Sequence, residues 1–126
     1  MLQKFYKTTF WAGYSAVLIT SVLTINWSLN KVSVNLVAFD LRLDHLLHLA
    51  AYFLVCMYYL AGRMKGLALF ESNALRKFIL VTVLLGTVTE FVQIWVPDRA
   101  FNVMDWVANM AGIGLGLFVI MIFRSR

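Results

Sequence analysis

Residues 90–112 read EFVQIWVPDRAFNVMDWVANMAG. The stretch begins as the end of one apolar run and finishes inside the next. Between the two sit Glu90, Gln93, Arg99, Asp105 and Asn109. Such residues are costly in or beside hydrocarbon. An Asp, Lys or Arg at the centre of a membrane helix costs about 2.5–3.5 kcal/mol, and less toward the helix ends. A polar cluster in so apolar a setting reads by default as a site.

The whole chain supports the membrane setting. Of its 126 residues, 62% are hydrophobic and 13% charged, and the mean hydropathy is +0.81. A soluble domain carries roughly 45–50% apolar and about 25% charged residues. The length fits a single domain, residues 1–126. The net charge of +5 does not point to nucleic acid, because the basic residues form short clusters beside apolar runs, as membrane flanks do. Cys56 is the single cysteine, so no internal disulfide forms. Lys4 and Lys7 precede an apolar run in the manner of a signal peptide. That run is longer than a signal core, and no small-residue cleavage pattern follows, so it reads as a retained anchor.

Four apolar runs are long enough to span: residues 8–29, 45–62, 78–96 and 103–123. In lipid the backbone must satisfy its own hydrogen bonds, so the runs are expected to be helices. The fold expected is therefore an all-α bundle of four transmembrane helices. Eight of the eleven basic residues (Lys4, Lys7, Arg63, Lys65, Arg76, Lys77, Arg124, Arg126) fall at the two termini and between the second and third runs. The other side holds Lys31, Arg42 and Arg99. The positive-inside rule then places both termini in the cytoplasm, with residues 30–44 and 97–102 outside. In KVSVNLVAFDLRL, residues 31–43, apolar and polar residues alternate, which predicts extended chain, lying as a partial lid on the outer surface. Thr20, Ser21, Thr24 and Ser28 share roughly one face of the first run. They turn either to the bundle or to their own backbone. Tyr58, Tyr59, Trp95 and Trp106 read most simply as interfacial anchors.

Helical periodicity gathers the polar residues. Asp44, His48 and Tyr52 share one face of the second helix. Glu90 and Gln93 share a face of the third with Gly86. Asp105 and Asn109 share a face of the fourth with Gly112 and Gly116. At about 1.5 Å per residue, all lie in the outer half of the membrane. Ala108, Gly112 and Gly116 are spaced so that helix backbones can approach closely.

The pattern Asp44-x-x-x-His48-x-x-x-Tyr52, Glu90-x-x-Gln93, Arg99, Asp105-x-x-x-Asn109-x-x-Gly112 resembles the VanZ-like family of small bacterial membrane proteins. Two positions depart from it. His45 stands where the family usually has Lys, and Leu49 where an aromatic is common. The resemblance implies a multi-pass protein of the bacterial inner membrane. The family's founding member is linked to low-level teicoplanin resistance, so an effect on glycopeptide sensitivity is implied too.

Chemically, His48, Glu90 and Asp105 are the candidate catalytic residues. Partly buried carboxylates can serve as acid and base, and an imidazole titrates near neutrality. Asp44, Tyr52, Gln93, Arg99 and Asn109 are candidate ligand-binding residues, with Arg99 suited to phosphate or carboxylate. No Ser or Cys nucleophile stands beside a base here. The expected ligand is an outer-leaflet, lipid-linked cell-envelope molecule such as a cell-wall precursor, with membrane lipids around it. Asp44, His48, Glu90 and Asp105 also form a donor set for a divalent metal, though without a zinc-signature spacing, and no metal ligand is assigned. A self-satisfied polar network in a packing or partner-binding module is the alternative, so the residues leave open whether the chain is an enzyme. They do not fix its oligomeric state. The orientation has a direct check. An impermeant thiol reagent applied outside should label an Asn35→Cys variant and miss Ser72→Cys, and the reverse result would overturn the topology.

Overall fold

The computed structural model describes residues 1–22, 33–36, 39–95 and 103–124. It contains four long helices and one short hairpin: α1 (Leu2–Val22), β1 (Ser33–Leu36), β2 (Phe39–Arg42), α2 (Leu43–Met64), α3 (Ala74–Val92) and α4 (Val103–Arg124). A single 3-10 turn, Gln93–Trp95, ends α3 two residues before Pro97, whose ring disfavours helix at the residue preceding it. Three helical stretches are long and apolar enough to cross a membrane: His45–Met64, Ala74–Trp95 and Val103–Arg124. As far as it is described, α1 is not among them. It carries Lys4 and Lys7 in its first turns, and residues 23–29 of the expected run lie outside the described residues.

α1 starts at Leu2, six residues before the expected boundary at Thr8. Hydropathy placed the boundary after the lysines, but hydrogen bonding holds the turns before it. Gln3 Oε1 accepts the backbone N–H of Ala68 at 2.9 Å, and Gln3 Nε2 donates to the Ala68 carbonyl. Tyr6 donates to the Tyr59 carbonyl at 3.4 Å, and Tyr58 donates to the Tyr6 carbonyl at 3.3 Å. The Tyr6 ring covers Gly62, where a side chain would collide with it. Thr20 and Ser21 have undescribed side chains, and Thr24 and Ser28 lie outside the described residues, so the hydroxyl face stays an expectation.

The alternating segment is extended, and it finds its partner in itself. β1 and β2 pair antiparallel, Ser33 with Arg42 through Leu36 with Phe39. β2 runs straight into α2, so the hairpin sits at the N-terminal end of that helix. At its other end α2 closes in a Schellman turn. Leu67 N–H reaches the Gly62 carbonyl at 2.8 Å and Gly66 N–H the Arg63 carbonyl at 3.0 Å, with Gly66 at φ 74. A left-handed residue here favours glycine.

The core has two layers. Toward the end where α2 finishes, Tyr6, Phe10, Cys56, Tyr59, Leu69, Phe78 and Ile120 pack together. Tyr59 lies over Phe78 with ring centroids 4.2 Å apart and planes 13° off parallel, and Tyr58 stacks on Tyr6 at 5.2 Å. These two tyrosines, expected as interfacial anchors, are held in the packing by α1 and α3. Nearer the hairpin end, Tyr52, Leu85 and Ile113 form a smaller cluster. Leu54, Leu84, Leu115 and Phe118 stay exposed on outer faces, as lipid-facing side chains do.

α2 and α4 form the tightest pair. A side-chain carbon on Gly112 would collide with the Leu49 backbone, and one on Gly116 with Cys56. A Gly112→Leu variant should therefore lower the detergent melting point by an overpacking cost of about 1–3 kcal/mol. Gly114 meets nothing within 4 Å, so Gly114→Leu should melt no lower than the parent. Equal loss in both variants would contradict the packing.

Candidate functional site

α2 delivers His45, His48 and Tyr52 from its first turns. α3 delivers Glu90 and Thr89 from its last, with Gln93 in the turn that follows. α4 delivers Asp105 and Asn109 from its first two turns. All three helices thus contribute at the hairpin end. Glu90 and Asn109 are fully buried, and Tyr52, Gln93, Asp105 and His45 are nearly so. The His48 side chain keeps 23% of its surface exposed.

Asn109 is the hub. Its amide donates to the Gly86 carbonyl at 3.0 Å and to Glu90 Oε1 at 3.2 Å. The Gly86 carbonyl can only accept, so the nitrogen and oxygen of this amide are fixed by the network. Asn109 Oδ1 then faces His48 Nδ1 at 2.8 Å as an acceptor, and the imidazole must donate from Nδ1. In the neutral ring the lone pair is left on Nε2. His48 Nδ1 also stands 3.7 Å from Glu90 Oε1. The close approach at Gly86 makes this geometry possible, since a side chain there would press on Met110 and Asn109.

A second pair lies beside the first. His45 Nε2 is 3.1 Å from Asp105 Oδ1, with both side chains 8% exposed. His48, Glu90 and Asp105 each present a ligand-type atom within 4.8 Å of the others. The two imidazole–carboxylate pairs thus lie side by side in one cluster. The same three residues could close on a divalent cation, for which mixed nitrogen and carboxylate donors are suited.

One turn deeper, the Tyr52 hydroxyl meets Thr89 Oγ1 at 3.2 Å. Trp106, expected as an anchor, is half-buried and donates from Nε1 to Thr87 Oγ1 at 3.2 Å, so it braces α4 against α3. Trp95 is 78% exposed on the turn after α3. The Asp44 side chain and all of Arg99 lie outside the described residues. His45 escaped the reading of the sequence because it departs from the pattern. Its signal was its spacing of three from His48, which puts both imidazoles on one side of α2.

Removing the hub tests this arrangement. An Asn109→Ala variant leaves the Gly86 carbonyl, the Glu90 carboxylate and His48 Nδ1 each short of a partner. Each unsatisfied buried group costs about 1–3 kcal/mol, so a large drop in melting point is expected. A parent-like melt would show that these bonds contribute no stability.

No curated protein and no solved structure matches the chain. A family model described as VanZ/LLP1 matches residues 4–124. That match takes in α2, the hairpin before it, α3, α4 and every residue of the polar cluster, and with three membrane-length helices it makes this a multi-pass membrane protein. The chain belongs to the VanZ/LLP1 family.

Proposed function

We propose that this VanZ-like protein binds or processes a lipid-linked cell-envelope molecule at the outer leaflet of the bacterial inner membrane. The observation that carries the proposal is the gradient of burial through the cluster. Glu90 and Asn109 are sealed, while His48, hydrogen-bonded to Asn109 through Nδ1 and 3.7 Å from Glu90 Oε1, keeps part of its ring at the surface. That leaves an imidazole oriented by the buried Asn109 amide, where a headgroup could meet it. In this reading His48, Glu90 and Asp105 handle the proton. Asp44, Tyr52, Gln93, Arg99 and Asn109 bind, with Arg99 on the anionic group.

The proposal takes α1 as a fourth crossing, completed beyond Val22, and residues 1–126 as one domain. Both termini then lie in the cytoplasm, since the ends of α2 and α4 and the start of α3 carry most of the basic residues at the end opposite the cluster. A bound envelope precursor would link the protein to glycopeptide sensitivity of the teicoplanin type. Asn109 favours a second reading. Both of its amide N–H groups and its Oδ1 bond inside the protein, as in a network that only locks three helices together.

Substitutions that keep shape separate the two. Asp105→Asn and His48→Gln retain hydrogen bonding to their neighbours. A working site predicts normal insertion, a melt lowered by about 1 kcal/mol or less, and loss of glycopeptide protection in cells lacking the parent copy. A structural network predicts destabilisation by about 3–5 kcal/mol when a charged member is lost. Full protection in both variants would reject the proposal.

A further inference from the structure

The end of the bundle opposite the polar cluster has a cavity of its own. It measures about 890 Å³ and lies where α2 and α4 end and α3 begins. Arg63 from α2, Arg76 from α3 and Arg124 from α4 line it, opposed by the carboxylate of Glu71. Lys4, Lys7, Lys65 and Lys77 do not line it, although they belong to the same basic end. The lining cations are thus all guanidiniums, whose planar fork grips a phosphate through two parallel hydrogen bonds.

Arg63 and Arg124 have an ordinary explanation, because cations stabilise the C-terminal turn of a helix. Arg76 has the opposite placement. It stands in the first turn of α3, where the helix dipole is already positive and acids are preferred. That turn holds no acidic residue, and Asn73 before it makes no side-chain capping bond. Asn73, Ala74 and Leu75 line the same cavity, so the start of a 19-residue helix without a side-chain cap borders it together with the three guanidiniums. An anion seated there would satisfy all of them.

The walls state what kind of anion. Leu80, Phe123 and Met64 border the cavity and are 62%, 49% and 68% exposed. Leu80 and Phe123 lie on the membrane-length stretches of α3 and α4. A free phosphate has no use for an apolar exit onto a lipid-facing surface, whereas a phospholipid has chains to place along it. Basic pockets between the ends of membrane helices suit anionic headgroups. We infer that the cavity lined by Arg63, Arg76, Arg124 and the start of α3 binds the phosphate of an anionic phospholipid, with its acyl chains lying along Leu80 and Phe123. On the proposed orientation this lipid belongs to the inner leaflet. The site is separate from the polar cluster and does not depend on it.

The test uses the full chain in a neutral detergent, with its melting point followed during titration with short-chain phosphatidylglycerol. The expected result is a saturable rise that phosphatidylcholine of the same chains does not give. Inorganic phosphate at matched concentration and ionic strength should not give it either. The Arg63→Gln, Arg76→Gln, Arg124→Gln triple variant should lose the rise, with apparent affinity falling about tenfold for each guanidinium removed. A Lys4→Gln, Lys7→Gln, Lys65→Gln variant loses as much charge and should keep it. Single Arg76→Gln guards against a misfolded triple variant. Its removal relieves the dipole, so the lipid-free melt should be unchanged or higher while lipid affinity drops. Equal stabilisation by phosphatidylcholine would overturn the inference, as would equal loss in the lysine variant. An equal rise with inorganic phosphate would assign the cavity to a soluble anion and overturn the lipid.

Discussion

Gly112 lies against the carbonyl of Leu49 with no room between them for a side-chain carbon, and Gly116 lies likewise against Cys56. Leu49 is the neighbour of His48, and Gly112 stands three residues from Asn109. The bond between His48 and Asn109 at 2.8 Å therefore exists only because two helix backbones touch here. Hydrocarbon gives apolar side chains no reason to leave lipid for one another, so helices in a bilayer associate through close packing and hydrogen bonds. Both act at this one contact. Glycine brings the backbones together, and the amide then bonds across all three helices.

The two ends of the bundle solve the problem of charge in different ways. At the hairpin end, carboxylates are buried and each is set against an imidazole, with Asn109 between the helices. Burying a carboxylate is costly unless it is paired and hydrogen-bonded, and those conditions are met within the protein. At the basic end, three guanidiniums and the start of α3 border an open cavity, and among the described residues Glu71 is the lining carboxylate. The aromatic cluster of Phe10, Tyr59 and Phe78 packs toward this same end, and Tyr59 also lines the cavity.

Aromatic residues mark where local pattern and global packing part company. Tyr58, Tyr59 and Trp106 lie near helix ends, where an amphipathic ring suits the membrane interface. The same ring suits a gap between helices, and nothing in the local sequence separates the two. Tyr59 went to Phe78 and Trp106 to Thr87 because α3 passes beside both. Among the described residues Trp95 has no such neighbour, and it is exposed.

By itself, the sequence determined the helices, the polar stripes and the extended hairpin segment. Hydropathy runs, the 3.6-residue repeat of an α-helix and the two-residue repeat of a strand are properties of the chain, readable before any packing. They put His48, Glu90, Asp105 and Asn109 on helical faces at similar depth. Tertiary structure alone decided which atoms meet. It paired His45 with Asp105 and fixed the His48 tautomer through Asn109. It carried α1 back to Leu2 through Gln3 and Tyr6, and folded the alternating segment onto itself. Each of these depends on the distance and rotation between elements far apart in the chain. Those are set by where glycines let backbones approach, and a periodicity within one helix carries no information about its neighbour.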